Sequence, residues 1–173
     1  MRTAVIYCSQ TGFTRRYAQW IAEEAGADCF PLDQVKSAGM EDYEAIVFGS
    51  WACAGTISKL GWFKRRMGTW ADKRLILFCT GASPAESPEI GPFLRRNFTD
   101  AEWARAAVFY CPGGLNYEGM GLPSRLMMGA FVRAVQGKRG KTPEEEAMAR
   151  MIGSSYDITD KKYIAPVLAC LDR

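Results

Sequence analysis

Histidine is absent from the 173-residue chain. Its absence removes the side chain best suited to acid–base work near neutral pH, and every triad built on imidazole. The usual nitrogen ligands of zinc and haem iron go with it. The six cysteines (Cys8, Cys29, Cys53, Cys79, Cys111 and Cys170) are scattered, with no C-x-x-C pair. No thiolate cage therefore replaces the missing imidazoles, and no metal site is expected. Several cysteines lie in apolar, strand-like runs, which predicts reduced, buried thiols and a cytoplasmic setting. No apolar run approaches the length of a membrane span. The chain enters a strand-like run at Thr3, so no signal peptide is expected. Repeats, low-complexity tracts and linkers are missing too, which predicts one domain over 1–173. Strong charge is also lacking: a net charge of +3 is too small to argue for nucleic acid as a partner.

The chain's main pattern is alternation. Thr3-Ala4-Val5-Ile6-Tyr7-Cys8 reads as a buried strand. Tyr17, Ala18, Ile21, Ala22 and Ala25 then fall on one helical face. Asp28 to Leu32 is a short strand whose Pro31 favours a sheet edge. Tyr43–Gly49, Lys73–Cys79 and Ala106–Cys111 are further strands. Helices are predicted over Thr56–Met67, Glu89–Phe98 and Leu122–Val135. A further helix opens at Thr142-Pro143 with Glu145 three residues after the cap, and the last carries Ile164, Val167, Leu168 and Leu171. Near-continuous apolar strands separated by helices predict an α/β fold: a five-stranded parallel sheet with helices on both faces. The stretch from about Gly114 to Lys141 breaks the alternation and reads as a helical insertion after the fifth strand.

Ligands of open α/β sheets bind outside the carboxyl ends of the strands, and three loops are expected to meet there. The first is Ser9-Gln10-Thr11-Gly12-Phe13-Thr14, between a strand end and a helix start. Free backbone N–H groups and the helix dipole at such a point favour an anion. The loop has hydroxyls and a glycine, but neither the lysine of a phosphate-binding P-loop nor the second glycine of a dinucleotide fingerprint. A monophosphate held by neutral donors fits it, and so does a cluster that merely caps the helix. The second loop is Gly49-Ser50-Trp51-Ala52-Cys53-Ala54-Gly55, where Trp51 offers a ring face for stacking. The third is Thr80-Gly81-Ala82-Ser83-Pro84.

Together these loops resemble the flavodoxin family, most specifically at Ser9–Thr14. The resemblance implies a flavodoxin-like fold and non-covalently bound FMN. By it, Ser9, Gln10, Thr11, Gly12, Phe13 and Thr14 hold the FMN phosphate. Ser50, Trp51, Ala52, Cys53, Ala54 and Gly55, with Thr80, Gly81, Ala82 and Ser83, border the isoalloxazine. The implied function is electron transfer between redox partner proteins, with no side chain assigned a catalytic role. The insertion is similar to that of menaquinone-dependent protoporphyrinogen oxidases and related flavodoxin-domain proteins. That likeness implies an alternative, an FMN-dependent oxidoreductase acting on a tetrapyrrole or a quinone. The chain departs from the family pattern in three respects. Its tryptophan is Trp51 rather than an aromatic near Cys53, the Thr80 loop holds no tyrosine, and the chain is mildly basic. The missing aromatics keep a third reading open, a cofactor-free binding module with the same fold. Few cationic residues lie in the loops, which predicts a low potential for a bound flavin.

Other residues carry two readings each. Cys53 is a redox thiol or a packing residue, and no adjacent cation favours the thiolate. Residues 119–141 form either a helix packed on the sheet edge, followed by a solvated basic loop, or a surface for a partner or a membrane. In the second reading Leu122, Leu126, Met127, Met128 and Phe131 are the apolar part, with Arg125, Arg133, Lys138, Arg139 and Lys141 as anchors. Asn116 and Tyr117 form a turn or contact a substrate. Trp20, Trp62, Trp70 and Trp103 read as core or half-buried residues, and Lys64-Arg65-Arg66 as a solvated helix face.

Overall fold

A computed structural model describes residues 1–35 and 39–172, apart from the Glu144 side chain. The elements run in chain order as β1 (Thr3–Tyr7), α1 (Phe13–Ala25), β2 (Asp28–Pro31), β3 (Ala45–Cys53), β4 (Thr56–Ile57) and α2 (Leu60–Met67). There follow β5 (Arg74–Gly81), α3 (Ile90–Arg96), α4 (Asp100–Arg105), β6 (Ala107–Pro112) and β7 (Gly114–Leu115). Last come α5 (Leu122–Gly137), α6 (Pro143–Met151), β8 (Tyr156–Asp157) and α7 (Ala165–Leu171).

Five parallel strands lie in the order β2-β1-β3-β5-β6, which is the flavodoxin-like doubly wound topology. The winding reverses between β1 and β3, and the crevice for a ligand opens there. Pro31 sits on the edge strand β2, where a missing N–H breaks no ladder. Both faces of the sheet are covered, so successive strand residues alternate between two cores. Ile6, Ile46, Phe48 and Leu77 pack with Phe63, Trp70 and Leu94 of the α2–α3 side. Val5, Val47, Ile76 and Phe78 pack with Tyr17 and Ile21 of α1 and Val167 of α7. Trp70 is buried, and Trp20, Trp62 and Trp103 are half-buried against these cores.

Several expected boundaries shift. The run Ser50–Cys53 is not a loop: β3 continues through it because Ser50 and Trp51 pair with Cys79 and Thr80 of β5. Thr56 and Ile57 are not helical but fold back on Cys53 and Ala52 as β4. The turn between them is Ala54-Gly55, both at positive φ, the backbone of a tight two-residue hairpin. Helix α4 was not expected, although Thr99 and Glu102 form a complete capping box at its start. Nor is Lys64-Arg65-Arg66 simply solvated. The Lys64 ammonium donates to the Asn97 carbonyl (2.6 Å) and the Glu102 carboxylate (2.7 Å), and Arg66 lies over the Trp62 ring (4.1 Å).

Between β6 and α7 the chain leaves the sheet. It forms the β7–β8 pair and the helices α5 and α6, which pack chiefly on each other. α5 therefore does not cover the sheet edge, and none of its side chains is buried.

Candidate functional site

The amino-terminal loop is built as an open helix start. Gly12 adopts φ 100°, a left-handed conformation that costs glycine little. Its N–H donates to the Ser9 hydroxyl (3.2 Å). Two hydroxyls precede α1, yet no side chain caps it. In contrast, Thr99 and Thr142 cap α4 and α6 in full capping boxes. Capping alone therefore does not explain the hydroxyl cluster. The first turn of α1 keeps its backbone donors and its dipole directed at the strand-end crevice.

Thr14 behaves differently from its neighbours. It is buried, and its hydroxyl shares a 2.8 Å hydrogen bond with that of Thr80, which also lies 3.4 Å from the Ser50 carbonyl. One buried chain of contacts thus joins the start of α1 to the ends of β5 and β3. The Ser50 hydroxyl donates to the Ser58 carbonyl (2.5 Å), so Ser50 holds the β3–β4 hairpin in place. The Gly113 N–H donates to the Gly81 carbonyl (2.8 Å), fixing the end of β5 against that of β6.

A cavity of about 1100 Å3 lies at these strand ends. Gln10, Thr11, Phe13 and Thr14 line it, as do all of Trp51–Ala54 and Thr80–Ser83. Ser9, Gly12, Ser50 and Gly55, also expected at the site, do not line it; the first three instead shape the backbone that does. Much of the remaining wall comes from the insertion, through Met120, Met127, Met128 and Phe131, and from Met148 and Met151 of α6, with Pro84 and residues 86–89 after β5 adding to it. Methionine side chains suit an apolar surface that must adapt to its guest. Glu86, Glu89 and Glu145 reach the lining, whereas no lysine or arginine is among the described lining residues.

The insertion is tied to the phosphate-loop candidate by side-chain hydrogen bonds. The Gln10 amide donates to the Ser124 hydroxyl (3.1 Å), and the Asn116 amide donates to the Thr11 carbonyl (3.3 Å). Asn116 also accepts from the Gly119 N–H (3.0 Å), so it shapes a turn and touches the loop at once. The Tyr117 hydroxyl donates to the Ile152 carbonyl, tying the insertion to the end of α6. Arg16, in the first turns of α1, pairs with Asp157 of β8 (2.6 Å) and donates to Thr159 (2.7 Å). Burial alone would raise the Asp157 carboxyl. Hydrogen bonds from Thr159 and Arg16 outweigh it and hold the group below the ordinary aspartate range.

Tyr156 was not anticipated at the site. It lies on β8, far along the chain from the three loops, yet it lines the cavity. Its hydroxyl donates to the Ala82 carbonyl (2.7 Å), and burial pushes its pKa up to about 12. It therefore stays a protonated donor at any ordinary pH. The Thr80 loop has no tyrosine of its own, and the structure brings one to it from β8. Tyr110 braces the same loop from below through the Ser83 carbonyl (2.8 Å). Nothing in the local sequence marks Tyr156; pairing of β8 with β7 places it. Cys53 lines the cavity only half-buried, and the buried thiols Cys79 and Cys111 lie in the sheet with raised pKa values.

A family model for the flavodoxin domain matches residues 4–142. The chain belongs to the flavodoxin-domain family. Among solved structures it is similar to a flavodoxin from the domain Archaea, at 21% identity over 69% of this chain and 88% of that one, with a TM-score of 0.43. It is also similar to a WrbA-like flavodoxin from Agrobacterium tumefaciens, at 18% identity over 88% and 95% of the two chains, TM-score 0.48. A third is oxidised flavodoxin 1 from Bacillus cereus, at 17% identity over 75% and 95%, TM-score 0.38. No curated protein matches the chain.

Proposed function

We propose that this chain is an FMN-binding flavoprotein that passes reducing equivalents between redox partners. The observation that carries the reading is the start of α1, preceded by hydroxyls yet uncapped, at the point where the sheet's winding reverses. Gln10 and Thr11, on the turn that Ser9 and Gly12 shape, would hold the phosphate with the first N–H groups of α1; Trp51, the Ala82 segment and Tyr156 would border the ring. When bound, the flavin supplies the one- and two-electron chemistry, and the protein supplies binding, orientation and electrostatics. The cradle's neutral donors accept a phosphate without a paired cation. Glu86 and Glu89 in the lining, with no described lysine or arginine there and Glu145 offset by its pair with Lys138, disfavour added negative charge. The protein would therefore hold the bound flavin's potential below that of the free cofactor. The mildly basic chain also favours a different redox partner from that of an acidic flavodoxin.

A second reading is favoured by the cavity itself. Its volume of about 1100 Å3 exceeds the roughly 300–1,000 Å3 of ordinary ligand pockets, and its far wall is methionine-rich. An FMN-dependent oxidoreductase with a large apolar substrate, such as a tetrapyrrole or a quinone, would use that space. Reconstitution with FMN followed by potentiometric titration tests the main reading: tight binding with a potential below that of free FMN supports it, and a raised potential contradicts the electrostatic argument. Steady turnover of a tetrapyrrole or quinone by the reconstituted protein would select the second reading.

A further inference from the structure

We propose that the outward face of α5 docks on an anionic lipid surface. Leu122, Leu126, Met127 and Phe131 are 74%, 77%, 44% and 47% exposed. Apart from Met1, these are the only large hydrophobic residues exposed among the described residues. At about 100° per residue they spread over roughly half the circumference of α5, with Leu122 and Leu126 outside the cavity lining, Met127 and Phe131 within it, and exposed Ala130 between them. An apolar strip of this kind on one helix is more than the scatter of single apolar residues that protein surfaces carry.

Charge decides what covers the strip. Residues 119–143 hold five basic side chains (Arg125, Arg133, Lys138, Arg139 and Lys141) and no acidic one, so the rest of the chain is net acidic. Lys138 pairs with Glu145 across the α5–α6 turn, and Arg125 donates to the carbonyls of Tyr117 (2.6 Å) and Glu118 (3.0 Å). Arg133 and Arg139 are both exposed. A second copy bound face to face would bring the same basic cluster against itself, an arrangement that like charge opposes. An anionic bilayer matches both features. Its interface accepts the apolar strip in the plane of the membrane, and its headgroups accept the basic residues. No described helix is long and apolar enough to cross a membrane, so the contact is peripheral. Met127 and Phe131 also line the cavity, so docking would set that wall at the lipid surface.

Sedimentation of the full chain with vesicles tests this, with and without FMN, so that a failure of flavin binding leaves the result readable. Vesicles of phosphatidylcholine mixed equally with phosphatidylglycerol should pellet the protein, pure phosphatidylcholine should not, and added salt should release it. The surface variant Leu122→Ser with Leu126→Ser should lose pelleting at unchanged Tm. Arg133→Ala with Arg139→Ala should weaken it about 25-fold, from roughly 1 kcal/mol per basic residue at the headgroups. No pelleting with either vesicle, or equal pelleting by all variants, overturns the proposal. So does light scattering that finds a dimer dispersed by Leu126→Ser, which would assign the strip to a second copy.

Discussion

The buried pair Thr14–Thr80 gives a sharp test of how the site is assembled. Thr80→Val removes one hydroxyl and leaves that of Thr14 buried with no other partner among the described residues. A stranded buried donor costs about 1–3 kcal/mol, so a loss of about 2 kcal/mol is expected. Thr14→Val should cost less, about 1 kcal/mol, because the Thr80 hydroxyl still reaches the Ser50 carbonyl at 3.4 Å. The double variant removes both polar atoms at nearly constant shape. It should lose clearly less than the sum of the singles, a coupling of about 1 kcal/mol or more. With a urea m-value of about 2 kcal/mol per molar, the single variants shift the midpoint by about 1 M and 0.5 M. The double variant should fall between wild type and Thr80→Val. Strict additivity in urea unfolding of the flavin-free chain would refute the claim that these hydroxyls bind each other and tie the start of α1 to the ends of β5 and β3.

Other consequences can be measured as directly. Gly114 sits at φ 134°, and a Cβ there would overlap the Tyr156 carbonyl. Gly114→Ala should cost about 3 kcal/mol in urea unfolding, since backbone cannot rotate away as a side chain can; a loss under about 0.5 kcal/mol would mean that β7 and β8 are not paired. The Asp157 carboxyl has a depressed pKa in the folded state, so its contribution is present above the ordinary aspartate pKa and is lost as pH falls through the lowered value. Wild type should therefore exceed Asp157→Asn by a constant, modest amount, under about 1 kcal/mol for so exposed a pair, from neutral pH down to about 4. The gap should close in stronger acid, and a gap that widens there contradicts the assignment. If Tyr156 borders bound FMN, its electron-rich phenol quenches the flavin by electron donation, so Tyr156→Phe and Tyr156→Ala should each restore part of the emission. Emission unchanged from wild type in both variants would remove Tyr156 from the site.

The strands were legible because a sheet covered on both faces demands continuous apolar runs, and Val5-Ile6 or Leu75-Ile76-Leu77-Phe78 can serve little else. Pro31 marked the edge strand, and Thr142-Pro143 marked the start of α6, each through a local backbone rule. Where long-range pairing decided the outcome, the sequence was mute. Gly49-Ser50-Trp51-Ala52 reads as loop by composition, yet β5 holds it extended through Thr80. β7 and β8 are two residues each, too short for any period to show, and they place Tyr156 at the cavity. Helix α4 is a different case, since Thr99-x-x-Glu102 carried a capping signal that the lack of a long apolar stripe obscured. At the site, the loop residues could be named from their order after strands. Their division of labour could not: Thr14 and Ser50 turned out to brace the loops, and the far wall came from methionines at helical spacing that equally fit an ordinary core.

The central claim is that a neutral cradle at the start of α1 grips a phosphate ester. Calorimetric titration of the flavin-free protein with FMN and, separately, with riboflavin isolates that grip, because the two ligands differ only in the phosphate. The account predicts one FMN per chain, bound at least about 100-fold more tightly than riboflavin, as expected of several charge-assisted hydrogen bonds. Equal affinity for the two, or no binding of either, would contradict it.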